Sequence, residues 1–145
     1  WFYFHDQPHQ ISQPLLMSDH WETSGEFHWQ ISPQGCMNVS IYKNPGTSIN
    51  PKSPPQIQKT KQWRQWHHLT ATIDTETGTV QMFWNGKKVH TARGTSIPEV
   101  LLDNPTIGSW YGSQKRWLNG GIGEQMIFSR ILTEAELQAI YLAGQ

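Results

Sequence analysis

The sequence holds a single cysteine, Cys36, among 145 residues. No intrachain disulfide can form, so the fold must be held by its core. A chain of this length fits one domain, residues 1–145, and buries roughly two-thirds of its unfolded surface. A lone thiol leaves the redox compartment open, and Cys36 is expected to be a buried structural residue. Charge is scarce as well, at 15 % of residues, with Lys+Arg and Asp+Glu both numbering 11. A zero net charge offers no basic patch for phosphates, which argues against nucleic acid or an anionic membrane as partner. No apolar run approaches the roughly 20 residues needed to span a bilayer, and no basic-then-apolar signal peptide opens the chain. The start, Trp1-Phe2-Tyr3-Phe4, is abrupt and suggests a piece of a longer protein.

Reactive constellations are missing too. There is no Gly-x-Ser-x-Gly elbow, and Cys36 has no histidine close in sequence to activate it. Of the seven histidines, His67 and His68 are adjacent on an expected strand. Their side chains then point to opposite faces and cannot share one ion. No His-Glu-x-x-His or paired-cysteine spacing supports zinc.

What the chain does hold is aromatic residues, 12 % of the total with Trp alone at 8, and period-two alternation. Phe27, Trp29 and Ile31 alternate with Glu26, His28 and Gln30, and Val39 and Ile41 follow the turn Ser32-Pro33-Gln34-Gly35. Leu69, Ala71 and Ile73 share one face of a longer strand, opposite Thr70 and Thr72; Val80, Met82 and Trp84 repeat the pattern. Such alternation marks half-buried strands. Asn85-Gly86 suits the two positive φ angles of a type I′ hairpin. Further strands are expected at Pro105–Gly108 and Gly123–Phe128, while Pro45, Pro51, Pro54 and Pro55 make 44–56 a long surface loop. About half of the tryptophans should be core, with Trp29 and Trp84 foremost. At the C-terminus Thr133 and Glu136 form a capping box, Leu132 and Leu137 a hydrophobic staple, and Leu137, Ile140 and Tyr141 one apolar stripe before Gly144. The expectation is an all-β fold, a two-sheet antiparallel β-sandwich with a short C-terminal α-helix.

Four ordered motifs carry a family resemblance. They are Trp66-His67-His68-Leu69-Thr70-Ala71, Val80–Gly86, Thr106-Ile107-Gly108, and the ending Asn119-Gly120-Gly121-Ile122-Gly123-Glu124 through Ser129-Arg130-Ile131-Leu132-Thr133-Glu134-Ala135-Glu136. Together they resemble the laminin-G-like branch of the concanavalin A-like lectin/glucanase superfamily, whose fold is a jelly roll. Leu15–Trp21 with Glu26–Ile31 is similar to bacterial laminin-G-like domains attached to FecR-type membrane regulatory proteins. The family pattern opens with a further strand ahead of the position of Trp1, and its usual Asp of Gly-x-Ile-Asp-Glu is Gly123 here.

The resemblance implies an extracytoplasmic recognition module, periplasmic or on the cell surface. Glycoside hydrolases of this fold carry a Glu-x-Asp-x-x-Glu strand, since the two reacting carboxyl groups must flank the scissile bond. No such cluster occurs, so no enzyme is expected. Calcium is a possible but not required cofactor, because many laminin-G-like domains hold it at a loop rim; Asp19, Glu22 and Glu26 are the candidate ligands. Sugar C–H faces stack on aromatic rings, which makes Trp21, Trp110, Tyr111, Trp117 and Asn119, in polar loops, the candidate glycan-binding set. The expected partner is a glycan or, alternatively, a cell-envelope protein, as for a sensory domain of a FecR-like regulator.

Overall fold

The computed structural model describes residues 1–6, 11–18, 22–44, 47–57, 63–94, 96–110 and 116–145. Among them the strands are β1 (Phe2–Phe4), β2 (Gln13–Met17), β3 (Phe27–Ile31), β4 (Met37–Asn44), β5 (Thr47–Ile49), β6 (Trp66–His67), β7 (Leu69–Asp74), β8 (Thr79–Trp84), β9 (Lys87–Arg93), β10 (Thr106–Ile107), β11 (Ser109–Trp110), β12 (Arg116–Trp117) and β13 (Gly120–Ile122), followed by helix α1 (Glu134–Ala143). The named ladders are all antiparallel. One layer runs β10-β2-β3-β4-β5, with the short β11-β12 hairpin continuing past β10. The other combines β13-β1-β6 with β7-β8-β9; only His68 separates β6 from β7, so the two ladders share one run of chain.

The alternating apolar positions meet between the layers. Phe2, Phe4, Leu15, Phe27, Trp29, Ile31, Met37, Val39, Ile41, Leu69, Val80, Met82 and Trp84 belong to one buried cluster. Phe2 meets Trp29 edge-on at 5.8 Å, which joins the two sheets, and Phe4 stacks on Trp84 at 6.5 Å. Aromatic pairs in these geometries add to simple burial. Trp29 and Trp84 are core as expected, but half was too generous for the tryptophans as a set. Trp63 only packs against the cluster, Trp1 and Trp110 are half-buried, and Trp66 and Trp117 are exposed. Cys36 is half-buried, correcting the buried position expected for it; it closes the Ser32–Gly35 turn through its backbone.

The hairpin Asn85-Gly86 has φ of 51° and 71°, the two left-handed residues that a type I′ turn requires. Asn85 does more than turn, since its Oδ1 accepts the His68 N–H at 2.9 Å and its own N–H donates to the His68 carbonyl at 2.8 Å. At α1, Thr133 Oγ1 accepts from Glu136 N–H and Glu136 Oε2 accepts from Thr133 N–H, the reciprocal capping box read in the sequence. Leu132 and Leu137 bury against Phe83, with Ile140 beside them, so the helix lies on the outer face of β8.

Two stretches depart from the expected pattern. Segment 44–56 is no free loop: β5 pairs with β4, and Val39 and Ser53 donate to Pro51 and Met37 carbonyls. Pro51, Pro54 and Pro55 are tolerated because they lie at the sheet edge; Pro45 lies outside the described residues. The strand expected at Gly123–Phe128 is not formed. The pairing residues are Gly120–Ile122, and beyond Gly123 the segment leaves the ladder with Met126, Ile127 and Phe128 exposed.

Candidate functional site

β3 is buried along its whole length, which alternation alone does not provide. Phe27, Trp29 and Ile31 face the core. His28 and Gln30 lie on the outer side and pair with Ser40 and Asn38 of β4. All four polar residues are buried, and the β11-β12 hairpin packs on two of them, His28 and Gln30. Trp110 and Arg116 are cross-strand partners in that hairpin and therefore point to the same side.

Their contacts define a compact constellation. The Arg116 Nη1 donates to Gln30 Oε1 at 2.7 Å. Its guanidinium carbon lies 4.2 Å from the Trp110 ring centroid, a cation–π arrangement. Trp110 in turn meets His28 edge-on at 5.3 Å, and Ser40 Oγ donates to Asn38 Oδ1 at 3.3 Å. Among the described residues no carboxylate pairs with Arg116. Trp110 Nε1 and Arg116 Nε are buried with no hydrogen-bond partner among the described residues. Burial, reinforced by the Arg116 charge, pushes the His28 imidazole down to about 4 against the pull of a Ser18 backbone hydrogen bond. Burial also lowers Arg116 from its ordinary value. At neutral pH the site thus offers one cation, one neutral imidazole, an indole N–H, an amide pair and a hydroxyl. That set can accept an anionic group and hydroxyls together, and it contains no carboxyl pair for acid–base chemistry.

The residues expected from sequence divide accordingly. Trp110 is at the centre of the constellation. Trp117 pairs with Ser109, so it projects from the opposite side of the hairpin and is 68 % exposed; it does not share a platform with Trp110. Asn119 is exposed and uses its backbone, donating its N–H to Gln13 Oε1 at 3.3 Å and accepting from His5 N–H at 3.0 Å. Trp21, Tyr111 and Asp19 lie outside the described residues. Glu22 is exposed, whereas Glu26 is buried beside β4, its N–H donating to Thr23 and its carbonyl accepting from Tyr42. No group of three His, Cys, Asp or Glu side chains able to hold a metal ion exists among the described residues. His28, Gln30, Asn38, Ser40 and Arg116 were missed by sequence reasoning. The strand residues' signal was present as two alternate polar positions on each of two adjacent strands, but it looks the same as a solvent face.

Two packed antiparallel layers, with a hairpin closing over a polar sheet face, define a jelly-roll domain of the lectin kind. The chain belongs to the Concanavalin A-like lectin/glucanases superfamily, whose sequence profile matches residues 1–138. Comparison with curated proteins finds no match. Among solved structures, the chain is similar to the CBM40 of the Ruminococcus gnavus IT-sialidase at 17 % identity and a TM-score of 0.76, covering 97 % of this chain and 78 % of that one. That CBM40 is also known bound to alpha2,3 sialyllactose. The leech intramolecular trans-sialidase matches at 19 % identity and a TM-score of 0.74 over 95 % of this chain and 22 % of its own. The binding domain of botulinum neurotoxin DC, in complex with rat synaptotagmin II, matches at 15 % identity and 0.73 over 100 % and 34 %. At these identities the likeness is one of fold.

Proposed function

We propose that this domain is a non-catalytic recognition module that binds an acidic glycan on the outer face of β3 and β4, outside the cytoplasm. The observation that carries the reading is Arg116, a half-buried guanidinium stacked on Trp110, fixed by Gln30 and without a carboxylate partner among the described residues. A planar guanidinium in a low-dielectric setting suits a carboxylate geometrically and electrostatically. Neutral His28, Asn38 and Ser40 supply partners for hydroxyls. The superfamily and the sialyllactose complex of a similar fold support the same reading.

The test is calorimetric titration of the soluble domain with 3′-sialyllactose and with lactose, beside a glycan array. Saturable binding of the acidic sugar, unchanged by EDTA, is expected. Silence on every glycan, with capture of a cell-envelope protein, would favour the alternative of a protein-interaction or sensory domain appended to a FecR-like regulator. Loss of binding in EDTA would instead support a calcium rim involving Asp19, Glu22 and Glu26.

A further inference from the structure

A cavity of about 490 Å³ lies on the outer face of the β7-β8-β9 sheet, in the opposite layer from the Arg116 constellation. Val80 and Met82 of β8 enter the core, so Thr79, Gln81 and Phe83 face outward. Phe83 lies under Leu132 and Leu137, and α1 therefore covers one end of this face and leaves the other open. At the open end, cross-strand pairing sets Asp74, Thr79 and Arg93 in one row and Thr72 and Gln81 in the next. Ile131, 45 % exposed and next to Leu132, adds an apolar side chain to the lining.

Several of these polar groups are left for a ligand. Asp74 Oδ1 accepts from the Glu76 and Thr77 N–H groups, both at 3.0 Å, which fixes the carboxylate in place. Thr77 Oγ1 donates to Thr79 Oγ1 at 3.0 Å, and the Thr79 hydroxyl keeps its own proton to donate onward. The side chains of Thr72, Gln81 and Arg93 make no hydrogen bond or ion pair with any described residue. Asp74 and Arg93 flank Thr79, so their backbones stand two inter-strand steps apart, roughly 10 Å. An acidic ligand would meet the Asp74 carboxylate, and a cationic one the Arg93 guanidinium. The balance favours a neutral ligand. Hydroxyl groups both donate and accept, which matches a carboxylate, a guanidinium, an amide and threonine hydroxyls set side by side. Ile131 suits the C–H face of a sugar ring.

We propose that this cavity is a second glycan site, taking a neutral oligosaccharide and acting independently of Arg116. In it Asp74 accepts from sugar hydroxyls, Arg93 donates to them, Thr79 and Gln81 do both, and Ile131 packs against a ring. Two sites on opposite outer faces let one domain bridge two glycan chains, and bivalent attachment strengthens weak single contacts.

The experiment follows backbone amide shifts while the domain is titrated with cellotriose, maltotriose, mannotriose and N-acetylchitotriose. At least one of these sugars should move the Thr79, Gln81 and Arg93 amides saturably. Arg93 is exposed and Gln81 half-buried on the sheet face, so Arg93→Ala and Gln81→Ala should keep the dispersed spectrum of the fold. Each should weaken the neutral sugar about tenfold, while Arg116→Ala leaves its affinity unchanged. If none of the four sugars moves those amides, or if binding survives both substitutions, the proposal is wrong. Loss of the neutral sugar on Arg116→Ala would also overturn it, because that would place the sugar at the first site.

Discussion

Arg116 and Gln30, 86 positions apart, are joined by a 2.7 Å hydrogen bond that holds the β11-β12 hairpin onto β3. The bond fixes the plane of the guanidinium, and Trp110 supports that plane from one side at 4.2 Å. Replacing Arg116 by Lys keeps the charge but loses the fork and the stack. Glycan affinity should fall about tenfold for Arg116→Lys and about a hundredfold for Arg116→Ala, a loss near 3 kcal/mol. Trp66→Ala, on the other sheet, should leave it unchanged. Titration calorimetry on the three variants checks this.

Acid should weaken the fold through His28. Its imidazole is held down at about 4, against about 6.5 in an unfolded chain. Between those values the unfolded state binds the proton and the folded state does not, so stability rises with pH across that window. Above about pH 6.5 the contribution is complete, and it is lost progressively down to about 4. Chemical denaturation at pH 7 and 4.5 should differ by about 2 to 3 kcal/mol from this group. His68, also lowered by burial and by the amino-terminal charge, acts in the same direction. His28→Gln should flatten most of the slope.

Gly120 is where β13 comes closest to β1. A Cβ there would stand 1.7 Å from the Tyr3 carbonyl oxygen, a backbone atom that cannot move aside without breaking the ladder. Gly120→Ala should cost about 3 kcal/mol or more in urea unfolding. At Gly94 the nearest atom is 3.9 Å away, and Gly94→Ala should be within about 0.5 kcal/mol of the parent.

The helix offers a graded pair. Thr133→Ala removes the acceptor of the Glu136 N–H and should cost about 1 kcal/mol. Leu137→Ala opens a cavity against Phe83 and Leu132 and should cost about 2 to 4 kcal/mol. Thermal melts followed by circular dichroism would rank the two.

These elements also show how much a reader of the sequence can see. The Asn85-Gly86 hairpin, the Thr133 cap and the inward rows of β3, β4, β7 and β8 were legible, because each is fixed by residues close together in the chain. The strand at Gly123–Phe128 was not, because a strand exists only by its partner, and among the described residues 123–128 join no ladder. The constellation around Trp110 was half legible. Trp110 was picked out as an aromatic in a polar loop, but that its partners are His28 and Gln30 depends on a hairpin closing over β3 from more than 80 residues away. Trp117 shows the converse, since proximity in sequence to Trp110 put it on the wrong side of a two-residue strand. Gly121 and Gly123 gain a reason from structure: a Cβ at Gly121 would press on the Trp66 ring at 3.0 Å, and one at Gly123 on the Trp1 Cβ at 3.1 Å.

The double burial of β3 bears on how this domain tolerates change. Any scheme that ranks positions by hydrophobicity would class His28, Gln30, Asn38 and Ser40 as surface and offer them for replacement. On the proposed function, these positions set ligand choice, His28 and Gln30 directly beneath Trp110 and Arg116. Diversification aimed at new specificities should therefore start at these four strand positions, which the inter-sheet core does not need, rather than at the exposed tip around Trp117.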